Sequence, residues 1–515
     1  VSTNTVQEDA YRPPDGGNGN APHDAGDAGY SKGLKARHIN MIAIGGAIGT
    51  GLFLGAGGRL AAAGPALAVA YAVCGLFAFF VVRALGEMVL HRPSSGSFVS
   101  YAREFLGEKG AYVAGWMYVV NWSTTGIADI TAIALYTHYW SLFTDVPQWV
   151  MALIALAVVL AVNLISVKIF GELEFWFAII KVAALVVFMF IGIFLLATQH
   201  PVSGHTPGFD LISDSGGFFP TGLLPVVVVL QGVVFAYSAV EMVGVTAGET
   251  SEPHKVVPKA VNSIMWRVGI FYVGSVVLLT LLMPWNKYSG SESPFVTVLS
   301  NVGVPAAGDV MNLVVLTAAM SSLNSGLYST GRILRSMSMA GSAPKFVGRM
   351  NRHQVPYGGI LLTSAVCVLG VALNYLVPSQ AFEIVINIAA LGVISTWVVI
   401  MICHMVFVRR TKEGLLQRPK FRLPGTPVTD ILTIAFLLGV IVLMWFDDGV
   451  GRDTVMLAPV IVLALIAGWF AVRGRVNRIA AERASGGTDG GTDGGTGGLE
   501  GPPAPDTPKI PGPRG

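Results

Sequence analysis

Apolar runs of membrane-spanning length recur along this chain, and they leave few folds open to it. A helix that crosses a bilayer needs about 20 mostly apolar residues. Twelve runs qualify: 39–61, 65–90, 111–140, 148–168, 173–198, 221–247, 262–284, 308–335, 358–377, 381–408, 429–447 and 455–473. Of the 515 residues, 53% are hydrophobic and 12% charged, whereas a soluble domain carries about 25% charged residues. The fold class expected is an all-α polytopic membrane protein with twelve transmembrane helices.

Loop charges orient it. Lys and Arg concentrate near helix ends on the cytoplasmic side. Placing both termini there puts Arg92, Arg103 and Lys109 in the loop after helix two, and Lys255, Lys259 and Arg267 after helix six. Arg332, Arg335, Lys345, Arg349 and Arg352 then follow helix eight, and Arg409, Arg410, Lys412, Arg418, Lys420 and Arg422 follow helix ten. The opposite side holds Lys287, Arg452 and Arg59. The expected surroundings are the lipid bilayer of the cell membrane.

Three domains are expected: a polar tail over 1–36, a helical body over 37–475 and a Gly/Thr/Asp-rich tail over 476–515. Both tails have a composition too poor in apolar residues to fold. The N-terminal stretch lacks the charged start, apolar core and cleavage site of a signal peptide. A formal net charge of +3 gives no argument for nucleic acid as a partner. The cysteines, Cys74, Cys367 and Cys403, all fall inside apolar runs. Neither a disulfide framework nor a metal cluster is indicated. No cofactor is expected, and no activated Ser or Cys nucleophile marks an enzyme.

Helix one reads H-I-N-M-I-A-I-G-G-A-I-G-T-G-L-F-L-G-A-G over 38–57. Each interior glycine costs about 1 kcal/mol against alanine, so Gly45, Gly46, Gly49 and Gly51 weaken the helix where they cluster. In lipid, unwound backbone survives only where it is buried in protein or lines a polar cavity. The stretch therefore reads as a broken helix facing a ligand, or else as a glycine-rich packing face. Inverted-repeat transporter folds open each repeat with a discontinuous helix. A five-plus-five arrangement places the second break in helix six. There Gly232 is followed by Phe235, Ala236, Tyr237, Ser238 and Ala239, with Glu241 beyond. A kinked packing helix is the alternative.

Half-helix N-termini offer N–H groups to anions, and half-helix C-termini offer carbonyls to cations. Two facing breaks suit a zwitterion such as a free α-amino acid. The carboxylate would sit on Gly49, Thr50 and Gly51, with the Thr50 hydroxyl in reach. The ammonium would sit on carbonyls of Ile44, Gly45 and Gly46 and of Phe235, Ala236, Tyr237 and Ser238. Phe235 either closes over the substrate or only packs.

Charges inside a membrane are expensive and mark function by default. Lys181, deep in helix five, is a candidate proton carrier or cation surrogate, unless it snorkels to the interface. Asp129 and Thr125 share a face of helix three and could meet a polar substrate side chain, or Asp129 is a structural carboxylate. Glu241 is divided between proton coupling or gating and structure. Glu87, near the end of helix two, reads as helix-end structure. In helix eight, Ser321, Ser322, Asn324 and Ser325 could meet the Lys181 ammonium or a sodium ion, or serve helix packing.

These residues carry a resemblance. The motifs are H-I-N-M-I-A-I-G-G-A-I-G-T-G-L-F (38–53), E-F-W-F-A-I-I-K (174–181), F-F-P-T-G-L-L-P (218–225), A-G-E-T (247–250) and A-M-S-S-L-N-S-G-L-Y-S-T-G-R (319–332). With them the chain resembles the amino acid transporter family of the amino acid–polyamine–organocation superfamily, from about Arg37 to Arg473. The resemblance implies a twelve-helix inverted-repeat fold with helices one and six broken. It further implies uptake of amino acids with protons, with the substrate backbone at the two breaks. It matches Lys181 to a lysine that stands where sodium-coupled relatives bind sodium. Within the family, G-I-A-D-I-T-A-I-A-L-Y-T-H-Y-W (126–140), V-P-Q-W-V (146–150), F-Y-V-G-S-V-V-L-L (271–279), G-R-I-L-R-S-M-S-M-A-G-S-A-P (331–344) and N-Y-L-V-P-S (374–379) imply L-asparagine as cargo. D-serine, D-alanine, glycine or aspartate are the alternatives inside the family, and a transporter-like amino acid sensor is the alternative outside it.

Overall fold

The computed structural model describes residue 41 and residues 48–94, 96–247, 252–377, 381–447 and 450–485. The chain forms two units: His23–Asn477, and the terminal segments Val1–Pro22 with Arg478–Gly515. Of the second unit, residues 478–485 are described. They are helical, with an exposed Arg478–Glu482 pair 3.9 Å apart on adjacent turns.

No β-strand occurs among the described residues; a lone bridge joins Val202 to His205. The helices are α1 (Thr50–Phe53), α2 (Gly55–Ala63), α3 (Leu67–His91), α4 (Ser97–His138), α5 (Gln148–Ile165), α6 (Val167–Thr198), α7 (Leu223–Val228), α8 (Leu230–Ala236) and α9 (Met242–Ala247). They continue as α10 (Pro253–Arg267), α11 (Ser275–Leu282), α12 (Pro294–Ser300), α13 (Ala307–Met339), α14 (Tyr357–Leu376), α15 (Ala381–Lys412), α16 (Val428–Met444) and α17 (Val450–Ser485). Single turns near Asp210, Ser141 and Trp285 join some of them. Among the described residues, eight helical stretches are long and apolar enough to cross a membrane, and Leu223–Ala236 and Val428–Met444 are shorter apolar ones.

Helix α4 is too polar to be among those eight. It lies in the middle of the protein, packed chiefly on α15, α13 and α14, so its face is set by protein neighbours and not by lipid. Small residues bring these helices close. A Cβ added at Gly392 of α15 would stand 2.6 Å from the Cβ of Asn121 on α4. At the periphery the pattern inverts. On α6, Phe190, Ile193 and Phe194 point outward, as do Val460, Leu463 and Phe470 on α17. Apolar side chains exposed along whole helices are what a lipid-facing surface requires.

Three helices differ from the runs counted in the sequence. Helix three was expected from 111, but α4 begins at Ser97, and Gly107 interrupts it at φ 78°. Its first turns bury Phe98, Val99, Tyr101, Ala102 and Phe105, so a charged, amphipathic stretch read as loop is helical because one face is covered. Helix seven was expected from 262, but α10 begins at Pro253. Proline suits a helix's first position, where its missing N–H costs nothing. A π-helical turn, Val268–Gly274, joins α10 to α11. The last helix runs to Ser485, twelve residues past its expected end at 473.

Candidate functional site

Helix six is interrupted. α8 ends at Ala236 and α9 begins at Met242. Ala239 between them takes φ 75°, a left-handed conformation that a residue with a Cβ rarely adopts. In helix one, Ile48 and Gly49 bend into the first turn of α1, and Gly49 is extended at φ −133°. Ile44, Gly45 and Gly46 lie outside the described residues. The remaining helix-one residues meet helix six directly. A Cβ at Gly51 would fall 2.5 Å from the Cα of Ala236. Glycine at 51 is thus required by the approach of two backbones.

Thr50 and Gly51 form the first turn of α1 at this junction, and first-turn N–H groups have no carbonyl within their own helix to bond. The helix-six carbonyls are partly engaged. Ser238 N–H donates to the Phe235 carbonyl at 2.9 Å, and the Tyr272 hydroxyl to that of Ala236 at 3.2 Å. Each keeps a second lone pair.

Helix three reaches the same junction. The Thr50 hydroxyl donates to Asp129 Oδ1 at 2.9 Å, and both residues are buried. Ser322 of α13 lies against Gly49, its Oγ 3.7 Å from where a Cβ would stand. Asp129 therefore belongs to the helix-one break. Thr125, four residues earlier, is not brought to it: its hydroxyl pairs with Asn121 Oδ1 at 3.3 Å along α4.

Lys181 does not snorkel. Its side chain is 1% exposed, and Nζ donates to Ser321 Oγ at 2.9 Å. Glu174, fully buried on the same helix, stands 4.0 Å from that Nζ. Ser321 donates to Glu174 Oε1 at 2.5 Å, Asn324 to Oε2 at 3.4 Å, and Asn163 to Asn324 Oδ1 at 2.7 Å. A buried ion pair is tolerable when its remaining lone pairs are satisfied in this way. Adjacent residues of α13 thus face two clusters, Ser321 the Lys181–Glu174 pair and Ser322 the helix-one break. Glu174 was not singled out in the sequence. The signal was available, since seven residues are two helical turns and put Glu174 on the face of Lys181.

Glu241 lies in the helix-six break, fully buried, and accepts from Trp397 Nε1 of α15 at 3.4 Å. Its other oxygen has no hydrogen-bond partner among the described residues. Phe235 is buried next to the break. Tyr237 donates to the Tyr71 carbonyl at 2.8 Å and stacks on Tyr272 with centroids 4.6 Å apart. A further residue was read from the sequence only as a charge on the opposite side of the membrane. Arg59, in the second segment of helix one, turns back and donates from Nη1 to the Gly51 carbonyl at 3.0 Å. It is 7% exposed, and its Nη2 has no hydrogen-bond partner among the described residues. Eight residues separate Arg59 from Gly51, so this reach was legible in principle from helical periodicity.

Apolar helices surrounding interrupted ones, with charged and hydroxyl side chains buried where the interruptions meet, define a multi-pass membrane protein of the permease class. Comparison with known families gives the narrower statement. The chain belongs to the amino acid permease family, whose model matches residues 38–481. It is 78% identical over 464 residues to a Streptomyces coelicolor protein named L-asparagine permease, covering 90% of this chain and 95% of that protein. A Salmonella typhimurium protein of the same name is 62% identical over 455 residues, 88% of this chain and 92% of its own length. L-asparagine permease 1 of Mycobacterium tuberculosis is 58% identical over 457 residues, covering 89% and 94%.

Proposed function

We propose that this chain imports L-asparagine together with protons across the cell membrane, by alternating access in a twelve-helix, five-plus-five inverted-repeat fold. The transport domain spans 37–475, and both tails face the cytoplasm. The observation that carries the proposal is the seam along α13. It sets a buried amine–carboxylate pair, Lys181 and Glu174, beside the Thr50–Asp129 contact at the helix-one break. High identity to three permeases named for L-asparagine supports the choice of cargo.

In this reading the substrate carboxylate takes the N–H groups of Gly49, Thr50 and Gly51. Its ammonium takes carbonyls of Ile44–Gly46 and of Phe235–Ser238. Asp129 meets the polar side chain, with Thr125 behind it on the same helix. Lys181, with Glu241 as a second group, couples the proton. Proton and substrate shift the conformational equilibrium only through their differential affinity for its states. Coupling therefore requires both to favour the same occluded state.

The test is uptake of radiolabelled L-asparagine into proteoliposomes. An inward proton gradient is expected to drive accumulation at least about tenfold above a collapsed-gradient control, corresponding to about 1.4 kcal/mol of coupled free energy. Unlabelled L-asparagine should compete, and glycine, D-serine, D-alanine and aspartate should compete less well. Better competition by any of these four replaces the cargo. Absence of all uptake from correctly inserted protein rejects transport and leaves the sensor reading.

Asp129→Asn is expected to change selectivity more than overall uptake. It keeps the size of the side chain and its ability to accept from Thr50, while removing the charge. The ratio of asparagine to alanine uptake should shift by about tenfold, the size of one charged hydrogen bond of about 1.5 kcal/mol. An equal loss for both amino acids counts against a side-chain role.

A further inference from the structure

A second buried charge cluster sits where α3 and α15 end and α16 begins, and it shares no residue with the helix breaks. Glu87 of α3, His404 of α15 and Asp430 of α16 are all fully buried. His404 Nδ1 stands 2.6 Å from Asp430 Oδ1, and Nε2 stands 3.1 Å from Glu87 Oε2. Arg418, in the segment joining α15 to α16, donates to Glu87 through both Nε and Nη2, the latter at 3.2 Å. The Leu423 backbone N–H donates to Glu87 Oε2 at 2.7 Å.

A neutral imidazole has one N–H and one lone pair, and an ionised carboxylate only accepts. Both ring nitrogens here face carboxylate oxygens. With a neutral ring and two carboxylates, one of these contacts would set lone pair against lone pair. The cluster must therefore hold one more proton. Glu87 is already saturated by Arg418 and Leu423, which fix it as the carboxylate. The extra proton belongs to the short His404–Asp430 contact. Of the two partners the ring takes the proton, since imidazole, with an ordinary pKa of about 6.5, is more basic than a carboxylate at about 3.9, and the Arg418 and imidazolium cations then offset the two carboxylates.

We propose that His404 is a buried proton-binding site, held as an imidazolium between Glu87 and Asp430, and that its proton fastens the 413–427 linker and the start of α16 to the bundle. The other charged groups nearby leave that assignment intact. Arg83, one turn before Glu87, is engaged with the Arg422 carbonyl at 2.9 Å and Asn262 Oδ1 at 2.6 Å, and stacks on Phe421. His91, with Glu104 4.0 Å away, is on the far side of Phe407, whose ring packs against both histidines. Loss of the proton would leave Glu87 and Asp430 facing a single cation. The ring would turn, and the linker would loosen.

The test uses the full chain, labelled with nitrogen-15 histidine, across pH 6 to 10. Nine histidines give nine pairs of ring signals, and His404→Gln identifies the relevant one by its disappearance. The expected spectrum keeps both His404 nitrogens protonated at pH 8, when an ordinary histidine with a pKa of about 6.5 is neutral. Asp430→Asn, which leaves the ring one anionic neighbour, should bring its deprotonation down by at least one pH unit. This second variant also identifies the signal if His404→Gln does not fold. Maleimide labelling of Leu423→Cys gives a separate readout, because Leu423 and the three native cysteines are buried. Its rate, corrected for thiolate fraction, should rise at least about tenfold once His404 deprotonates. A lone-pair signal on either His404 nitrogen at pH 7 overturns the site. A labelling rate that ignores His404 titration overturns the latch.

Discussion

Gly51→Ala is expected to lower uptake by about ten- to a hundredfold in protein that inserts at wild-type levels. The added Cβ would stand 2.5 Å from Ala236 Cα and 3.1 Å from its Cβ. The first partner is backbone and cannot rotate aside, so the two broken helices must separate. Overpacking of this kind costs about 1–3 kcal/mol, and about 2.7 kcal/mol is a hundredfold. Because both strands of the contact belong to the proposed substrate site, the cost falls on binding and occlusion. Gly49→Ala is the control. Its Cβ would meet Ser322 at an ordinary 3.7 Å, and φ −133° is open to any residue. Uptake should stay within about threefold of wild type, well under 1 kcal/mol. Equal uptake by the two variants would show that the helix-one and helix-six junction is not where substrate binds. Gly51→Leu, larger again, should be inactive.

The second large effect is at Lys181. Lys181→Met alone leaves Glu174 charged and unpaired inside the membrane. Breaking a buried pair costs about 3–5 kcal/mol, so the single variant should lose inserted protein as well as uptake. Lys181→Met with Glu174→Gln removes both charges and should restore insertion. Wild-type uptake is expected to fall as external pH rises. The double variant should show a much flatter profile between about pH 5 and 8, because no amine at 181 carries the proton and Glu241 alone is left to respond. A wild-type slope in that variant would remove Lys181 from coupling. Recovery of insertion without recovery of any uptake would make the pair essential to the transport cycle itself.

Both experiments turn on contacts of different legibility. Lys181 stood out in the sequence because an amine inside an apolar run needs a reason. Its partner was also within reach, two turns earlier on the same face. Of the helix-eight residues Ser321, Ser322, Asn324 and Ser325 expected to meet it, Ser321 and Asn324 surround the pair. Thr125 and Asp129 shared a helical face by the same periodicity, yet only Asp129 meets helix one. Periodicity says which residues share a face, and the direction of each side chain depends on the neighbours packed there. The helix-six interruption was legible from small and polar residues after Gly232. Its position at 237–241 follows that pattern closely.

Glu87 shows the opposite case. Its place near the end of helix two suggested helix-end structure, and the sequence carries no sign that His404, 317 residues away, would bond it. Likewise, Gly51 could be read as a weak point in a helix, but not as the spot where Ala236 touches it.

The sequence alone therefore determined what each segment must do toward its solvent. Apolar length makes membrane helices, clustered glycine breaks one, and a charge in an apolar run demands a partner. These are local energies, fixed by the transfer of each side chain or backbone group from water. Tertiary structure alone decided which residues of other helices each buried charge meets and which backbones touch. Those choices depend on close packing between helices far apart in the chain, and no local preference encodes that distance.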